Sequence, residues 1–239
     1  MNIRAVIFDV YSTILQVGPP PPNAEELWQN LFIDTLGTPP PLTRAQFAVA
    51  TAQAVARRHA DARARGIPWP EIQWPGVVLE VLPALARLRA NQREDFLFRQ
   101  MQIGRALRLA EGAADCLLWL NTKQFLLGIA SNSQAYTLSE LGAALQSAGL
   151  NLSVFDPEVR FWSFEHGFSK PDPPVFRILS ARLEARGITP AEILMVGDRL
   201  DNDNAPARSF GWQTWQLTIG RGVGAGNWRD LLTWLQSNR

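Results

Sequence analysis

A single cysteine among 239 residues rules out an intrachain disulfide as a staple for this chain. Cys116 then reads as a residue of a chain that works in a reducing compartment, and a cytoplasmic location is the expectation. Charge of one sign is lacking too: 23 Lys and Arg stand against 22 Asp and Glu, for a formal net charge of +1, and the arginines are scattered. No basic face is concentrated enough to hold a polyanion, so no nucleic-acid partner is expected. Nor does any apolar run approach the roughly 20 residues that a membrane-spanning helix needs, and no membrane partner is expected. The first apolar run begins almost at Met1 and ends at a charge, unlike a targeting segment. What the chain does have is material for an interior. Its 46% hydrophobic content suits one large domain, or a core with a smaller insert.

That first run, Ala5-Val6-Ile7-Phe8, is short, β-branched and aromatic, which reads as a buried strand. Gly18 and the tetraproline tract Pro19 to Pro22 follow, a stretch that continues neither a helix nor a central strand and reads as an extended connector. Apolar spacing then predicts helices over 24–36, 43–66, 75–90 and 93–112. From Ala113 the pattern alternates. Strands are predicted at 125–130, 159–164, 193–196 and 214–217, and helices through 117–120 and over 136–148, 174–186, 205–210 and 228–236. Such alternation implies an α/β fold, a parallel sheet with helices on both faces and right-handed crossovers. The helical block after strand one is then an insertion at the sheet edge that carries Asp9.

Four polar clusters each follow an apolar run. Asp9 closes the first strand, at the edge where open α/β sheets bind ligands, and is placed to act as a nucleophile or to cap a turn. Ser131 and Asn132 follow the second core strand, where small polar side chains and free N–H groups cradle an oxyanion or cap a helix. Lys170, before the stiff Pro171-Asp172-Pro173-Pro174, is either a fixed ammonium or a solvated loop lysine. Asp198, Asp201 and Asp203 crowd three carboxylates behind the strand ending at Val196. They form an acidic turn, or a site where oxygen-only ligands select Mg²⁺.

In order and setting these clusters resemble the haloacid dehalogenase-like hydrolase superfamily, over essentially the whole chain. Asp9 and Thr13 match its first motif, Ser131 the second, Lys170 the third, and Gly197, Asp198 and Asp203 the fourth. The resemblance implies a Rossmann-like, doubly wound parallel core from residues 1–15 and 113–239, with residues 16–112 as an α-helical cap. It also implies a small-molecule substrate, with Asp9, Tyr11, Ser131 and Lys170 as catalytic residues. Thr13, Ser131, Asn132 and Lys170 would bind substrate, and Asp9, the Tyr11 carbonyl, Asp198 and Asp203 would bind Mg²⁺.

One departure bears on the chemistry. Phosphatase members carry a second aspartate two residues after the nucleophile as general acid and base, and here that position is Tyr11. Dehalogenase members carry Tyr there but lack the acidic fourth motif. A phosphate-ester hydrolase working through an aspartyl-phosphate is the leading reading. A 2-haloacid dehalogenase and a catalytically degenerate ligand-binding relative are the alternatives. With a pKa of about 10 the phenol is a poor base at neutral pH, so activated aryl phosphates are expected to turn over faster than alkyl phosphates. His166, four residues before Lys170, is either a replacement acid and base or a structural histidine. The tryptophans Trp28, Trp69 and Trp74 of the helical block read chiefly as packing.

Overall fold

The structure is a computed structural model that describes residues 2–220 and 222–238. Its central feature is a six-stranded parallel sheet. In chain order the strands and helices are β1 (Ala5–Phe8), β2 (Leu15–Gly18), α1 (Ala24–Leu36), α2 (Arg44–Ala64), α3 (Trp74–Val81), α4 (Ala90–Gly104), β3 (Ala106–Leu109), α5 (Ala113–Thr122) and β4 (Leu126–Ser131). There follow α6 (Tyr136–Gln146), β5 (Arg160–Trp162), α7 (Ser163–His166), α8 (Pro173–Glu184), β6 (Ile193–Gly197), α9 (Ala205–Ser209), β7 (Gln213–Leu217), β8 (Ala225–Gly226) and α10 (Trp228–Ser237). The sheet order is β5-β4-β1-β6-β7-β8. With the inserted strands set aside this is the doubly wound Rossmann-like order, and it reverses at β1, where such sheets open a ligand crevice.

The chain falls into two compact units, Met1–Gln16 with Arg108–Arg239, and Val17–Leu107. In the first, alternation along β1 sends Ala5 and Ile7 to one face, where they join Val175, Phe176, Leu179 and Leu183 of α8. Phe8 lies among other partners, stacking on Trp228 of α10 at 5.7 Å and meeting Phe155 edge-on. A strand buried on both faces reads as a continuous apolar run, as Ala5-Val6-Ile7-Phe8 does. Gly128 of β4 admits no side chain. A Cβ there would lie 2.4 Å from the Val159 carbonyl oxygen and 2.6 Å from Ile7 Cδ1. Because the nearer atom is backbone, Gly128→Ala is expected to lower stability by about 1–3 kcal/mol, measured by chemical denaturation.

The second unit is helical, with an aromatic centre. Trp28 packs on Phe32 and Phe47 at 4.8 and 5.0 Å, and Phe32 on Phe96 at 5.1 Å. The Trp28 indole N–H donates to the Leu42 carbonyl, and that of Trp74 donates to Gln100. These two tryptophans are packing residues, while Trp69 is exposed. No helix among the described residues is long and apolar enough to cross a membrane.

Three predicted elements differ from those observed. The helix expected over 93–112 ends at Gly104, and Ala106–Leu109 is strand β3, paired with β2 in a small separate sheet. The helix expected over 75–90 stops at Val81, because Pro83 lacks the N–H and clashes with the preceding turn; a 3₁₀ stretch covers Pro83–Arg87. The strand expected to reach Phe164 ends at Trp162, where the single turn of α7 begins.

Candidate active site

The register of the sheet gathers the candidate residues. Phe8 pairs with Ile129 on one side and with Val196 on the other. The chain beyond β1, β4 and β6 therefore emerges at one edge, delivering Asp9, Ser131 and Asp198 together. Asp9 is 8% exposed, and its backbone N–H donates to the Val196 carbonyl at 2.9 Å. Lys170, 2% exposed, donates from Nζ to Asp9 Oδ1 at 2.8 Å and to Asp203 Oδ1 at 2.5 Å. A buried ammonium between two carboxylates is a fixed part of the site, which decides against a solvated loop lysine.

Two local devices hold this arrangement. The Asn132 carboxamide is bonded reciprocally to the backbone of Lys170, accepting from its N–H at 2.8 Å and donating to its carbonyl at 2.9 Å. Both ends of the Asn132 amide thus fasten the lysine loop. The second device is a π-helical turn over Leu200–Asn204, wide enough to swing Asp203 back toward the strand end. There Asp203 Oδ2 accepts from the Arg199 N–H at 3.0 Å. A Cβ at position 197 would lie 2.4 Å from Asp203 Oδ2, so the glycine of the fourth cluster is there to let that carboxylate in.

Carboxylate oxygens of Asp9, Asp198 and Asp203 lie within 4.8 Å of one another. With all three ionised and Lys170 protonated, the cluster carries a net charge of −2. The acidity of the groups registers this crowding. Asp9 is pushed up to about 6, by burial first and by Asp203 and Asp198 in addition, with Lys170 pulling it back. Asp198 is raised by burial and by Asp203. Burial alone would lower Lys170, but Asp9 and Asp203 outweigh it and raise the lysine. An all-oxygen donor set with an uncompensated charge of −2 fits a hard divalent cation such as Mg²⁺.

The hydroxyls are the other half of the site. Thr13 Oγ1 and Ser131 Oγ are fully buried and have no hydrogen-bond partner among the described residues. An unpaired buried hydroxyl costs about 1–3 kcal/mol, so each of these two calls for an explanation. The Tyr11 phenol has partners. It bonds to Thr137 Oγ1 at 2.7 Å and to the Glu140 carboxylate, both on α6. Sequence reasoning missed Glu140, which is buried, and whose only signal was a carboxylate on an apolar helix face. His166 stacks on Phe161 at 4.4 Å, packs near Phe168, and is lowered by burial, the features of a structural histidine. Asp201 is exposed and pairs with Arg199, outside the cluster.

The haloacid dehalogenase-like hydrolase family model matches residues 3–211. The chain belongs to this family. Solved structures that resemble this haloacid dehalogenase-like (HAD) hydrolase include the HAD-hydrolase YfnB of Bacillus subtilis bound to magnesium, with 23% identity over 98% of this chain and 99% of that one and a TM-score of 0.57. The 2-haloacid dehalogenase of Pseudomonas syringae pv. Tomato DC3000 has 17% identity over 98% and 99% and a TM-score of 0.63. The HAD phosphatase of Thermococcus onnurineus has 22% identity over 98% of each chain and a TM-score of 0.56. At these identities the likeness is one of fold. The neighbours of this HAD hydrolase include both phosphatases and dehalogenases. No curated protein matches it in sequence.

Proposed function

We propose that the protein is a Mg²⁺-dependent phosphatase acting on a small phosphate ester through an aspartyl-phosphate on Asp9. The observation that supports this reading best is the cluster Asp9, Asp198 and Asp203, whose charge a single lysine leaves uncompensated. Halide displacement develops no phosphoryl charge and has no use for such a cluster. Asp9, the Tyr11 carbonyl and Asp198 would hold the ion, with Asp203 behind them, and the bound cation neutralises charge on the transferring phosphoryl group. Asp9 attacks phosphorus in line. Ser131 and Thr13 donate their hydroxyls to the phosphoryl oxygens, and Lys170 fixes the Asp9 carboxylate by its ion pair. The Bacillus subtilis neighbour bound to magnesium and the Thermococcus onnurineus phosphatase are consistent with this assignment.

Chelation tests it. Phosphate release from 4-nitrophenyl phosphate is expected to fall to background when EDTA removes the metal and to return with added Mg²⁺. Turnover that persists in EDTA would exclude the mechanism. A dehalogenase is the second reading, favoured by Tyr11 in place of the phosphatase aspartate. It requires chelator-insensitive halide release from a 2-haloacid, and no halide release is expected here.

A further inference from the structure

Proton supply limits what a phosphatase built this way can cleave. Of the titratable side chains gathered at the sheet edge, Asp9 is the nucleophile, Asp198 and Asp203 belong to the acidic cluster, and Lys170 is shared between Asp9 and Asp203. The phenol of Tyr11 stands two residues after the nucleophile, where phosphatase relatives keep an acid. Its O–H donates a hydrogen bond to the Glu140 carboxylate, and it bonds to the Thr137 hydroxyl at 2.7 Å. His166 lies between aromatic rings. Among the described residues of this group, each side chain is already committed to another partner or role, and none is left to hand a proton to a leaving group. An alcohol that departs unprotonated is an anion of pKa near that of water, about 16. A carboxylate departs as an anion of pKa about 4 and needs no proton.

Resting on the aspartyl-phosphate mechanism of that reading but replacing its ester substrate, we infer that the substrate class is an acyl phosphate, the mixed anhydride of a carboxylic acid and phosphoric acid. The bond from an Asp9 oxygen to phosphorus forms as the bond from phosphorus to the acyl oxygen breaks, and the electron pair leaves with the substrate carboxylate. One acyl phosphate is exchanged for another, so the first step is close to balanced in energy. Water then attacks the phosphorus of the aspartyl-phosphate, and Asp9 leaves with its electron pair as a carboxylate, again unprotonated. Of the water's two protons, one stays on the phosphate and the other goes to solvent. The products are a carboxylate, inorganic phosphate and a proton, and neither step calls on a leaving-group acid.

The experiment compares benzoyl phosphate, 4-nitrophenyl phosphate and glycerol 3-phosphate at equal concentration with Mg²⁺. Loss of acyl phosphate is followed by hydroxylamine trapping, and the Asp9→Asn protein is subtracted as the uncatalysed background. Benzoyl phosphate is expected to turn over faster than glycerol 3-phosphate by roughly 10²–10⁴-fold, the usual contribution of a general acid. Tyr11→Asp, which places a carboxylic acid in that position, is expected to raise the glycerol 3-phosphate rate and narrow the ratio. If that variant does not fold, the wild-type ratio decides alone. Wild-type rates on the two substrates within about tenfold would overturn the acyl phosphate inference while leaving the phosphatase reading in place. No Asp9-dependent release from any of the three would overturn both.

Discussion

Replacing Lys170 by methionine is expected to destabilise the protein by about 3–5 kcal/mol at neutral pH, the usual cost of removing one partner from a buried ion pair. The ammonium side chain is fully buried and lies 2.8 Å from Asp9 and 2.5 Å from Asp203. Methionine fills its volume but leaves two carboxylates facing each other with Asp198 nearby. For a chain of this length that loss corresponds to roughly 10 °C in melting temperature, read by calorimetry in EDTA. The pH dependence has a definite sign. Without the lysine Asp9 loses the ion pair that pulls its pKa down, so lowering the pH protonates it more readily and removes the repulsion. The gap between wild type and Lys170→Met should shrink between pH 7 and pH 4. A gap that stays constant with pH would mean that lost packing, not charge, was the cause. Lys123 is the control, the chain's other lysine, exposed at the end of α5. Its replacement by methionine should change stability by less than about 0.5 kcal/mol.

The contrast between those two lysines shows where the sequence was legible and where it was not. Asp9, Ser131 and Asp198 could be placed because each ends an apolar run, and a parallel sheet brings such run-ends to one edge. Lys170 stands in a loop with no strand of its own, and only the family resemblance connected it to Asp9. The chain holds only two lysines, Lys123 and Lys170. The partners of Lys170 lay beyond such reasoning. Asn132 had the composition of a helix cap, and only the folded chain brings its amide against the lysine backbone. Glu140 could not be tied to Tyr11, because the tie depends on how α6 is rotated against the loop after β1. Strands β2 and β3 escaped for a simpler reason. They have four residues each, and Ala106-Leu107-Arg108-Leu109 fits a helical period as well as a strand.

Asp9→Asn separates function from stability in the opposite sense. Phosphate release should fall by several orders of magnitude, on the scale seen when other enzymes lose a nucleophile, because a carboxamide cannot form the aspartyl-phosphate. Stability should not fall. The wild-type carboxyl is raised from 3.8 to about 6, so the folded protein holds a proton there that the unfolded chain has released. The contribution of Asp9 to wild-type stability in EDTA therefore declines as the pH rises from about 4 to about 6, by about 2–3 kcal/mol. Asparagine has the same shape and no charge to desolvate, and it lacks this decline. The stability of Asp9→Asn relative to wild type should then grow with pH across that window and level off above it, as measured by urea denaturation in EDTA. A nucleophile kept at a cost to stability is what a catalytic carboxylate looks like, since a group retained for packing would lose both activity and stability on replacement. If Asp9→Asn is less stable than wild type at pH 7, Asp9 serves chiefly as the structural partner of Lys170, and the nucleophile assignment fails with it.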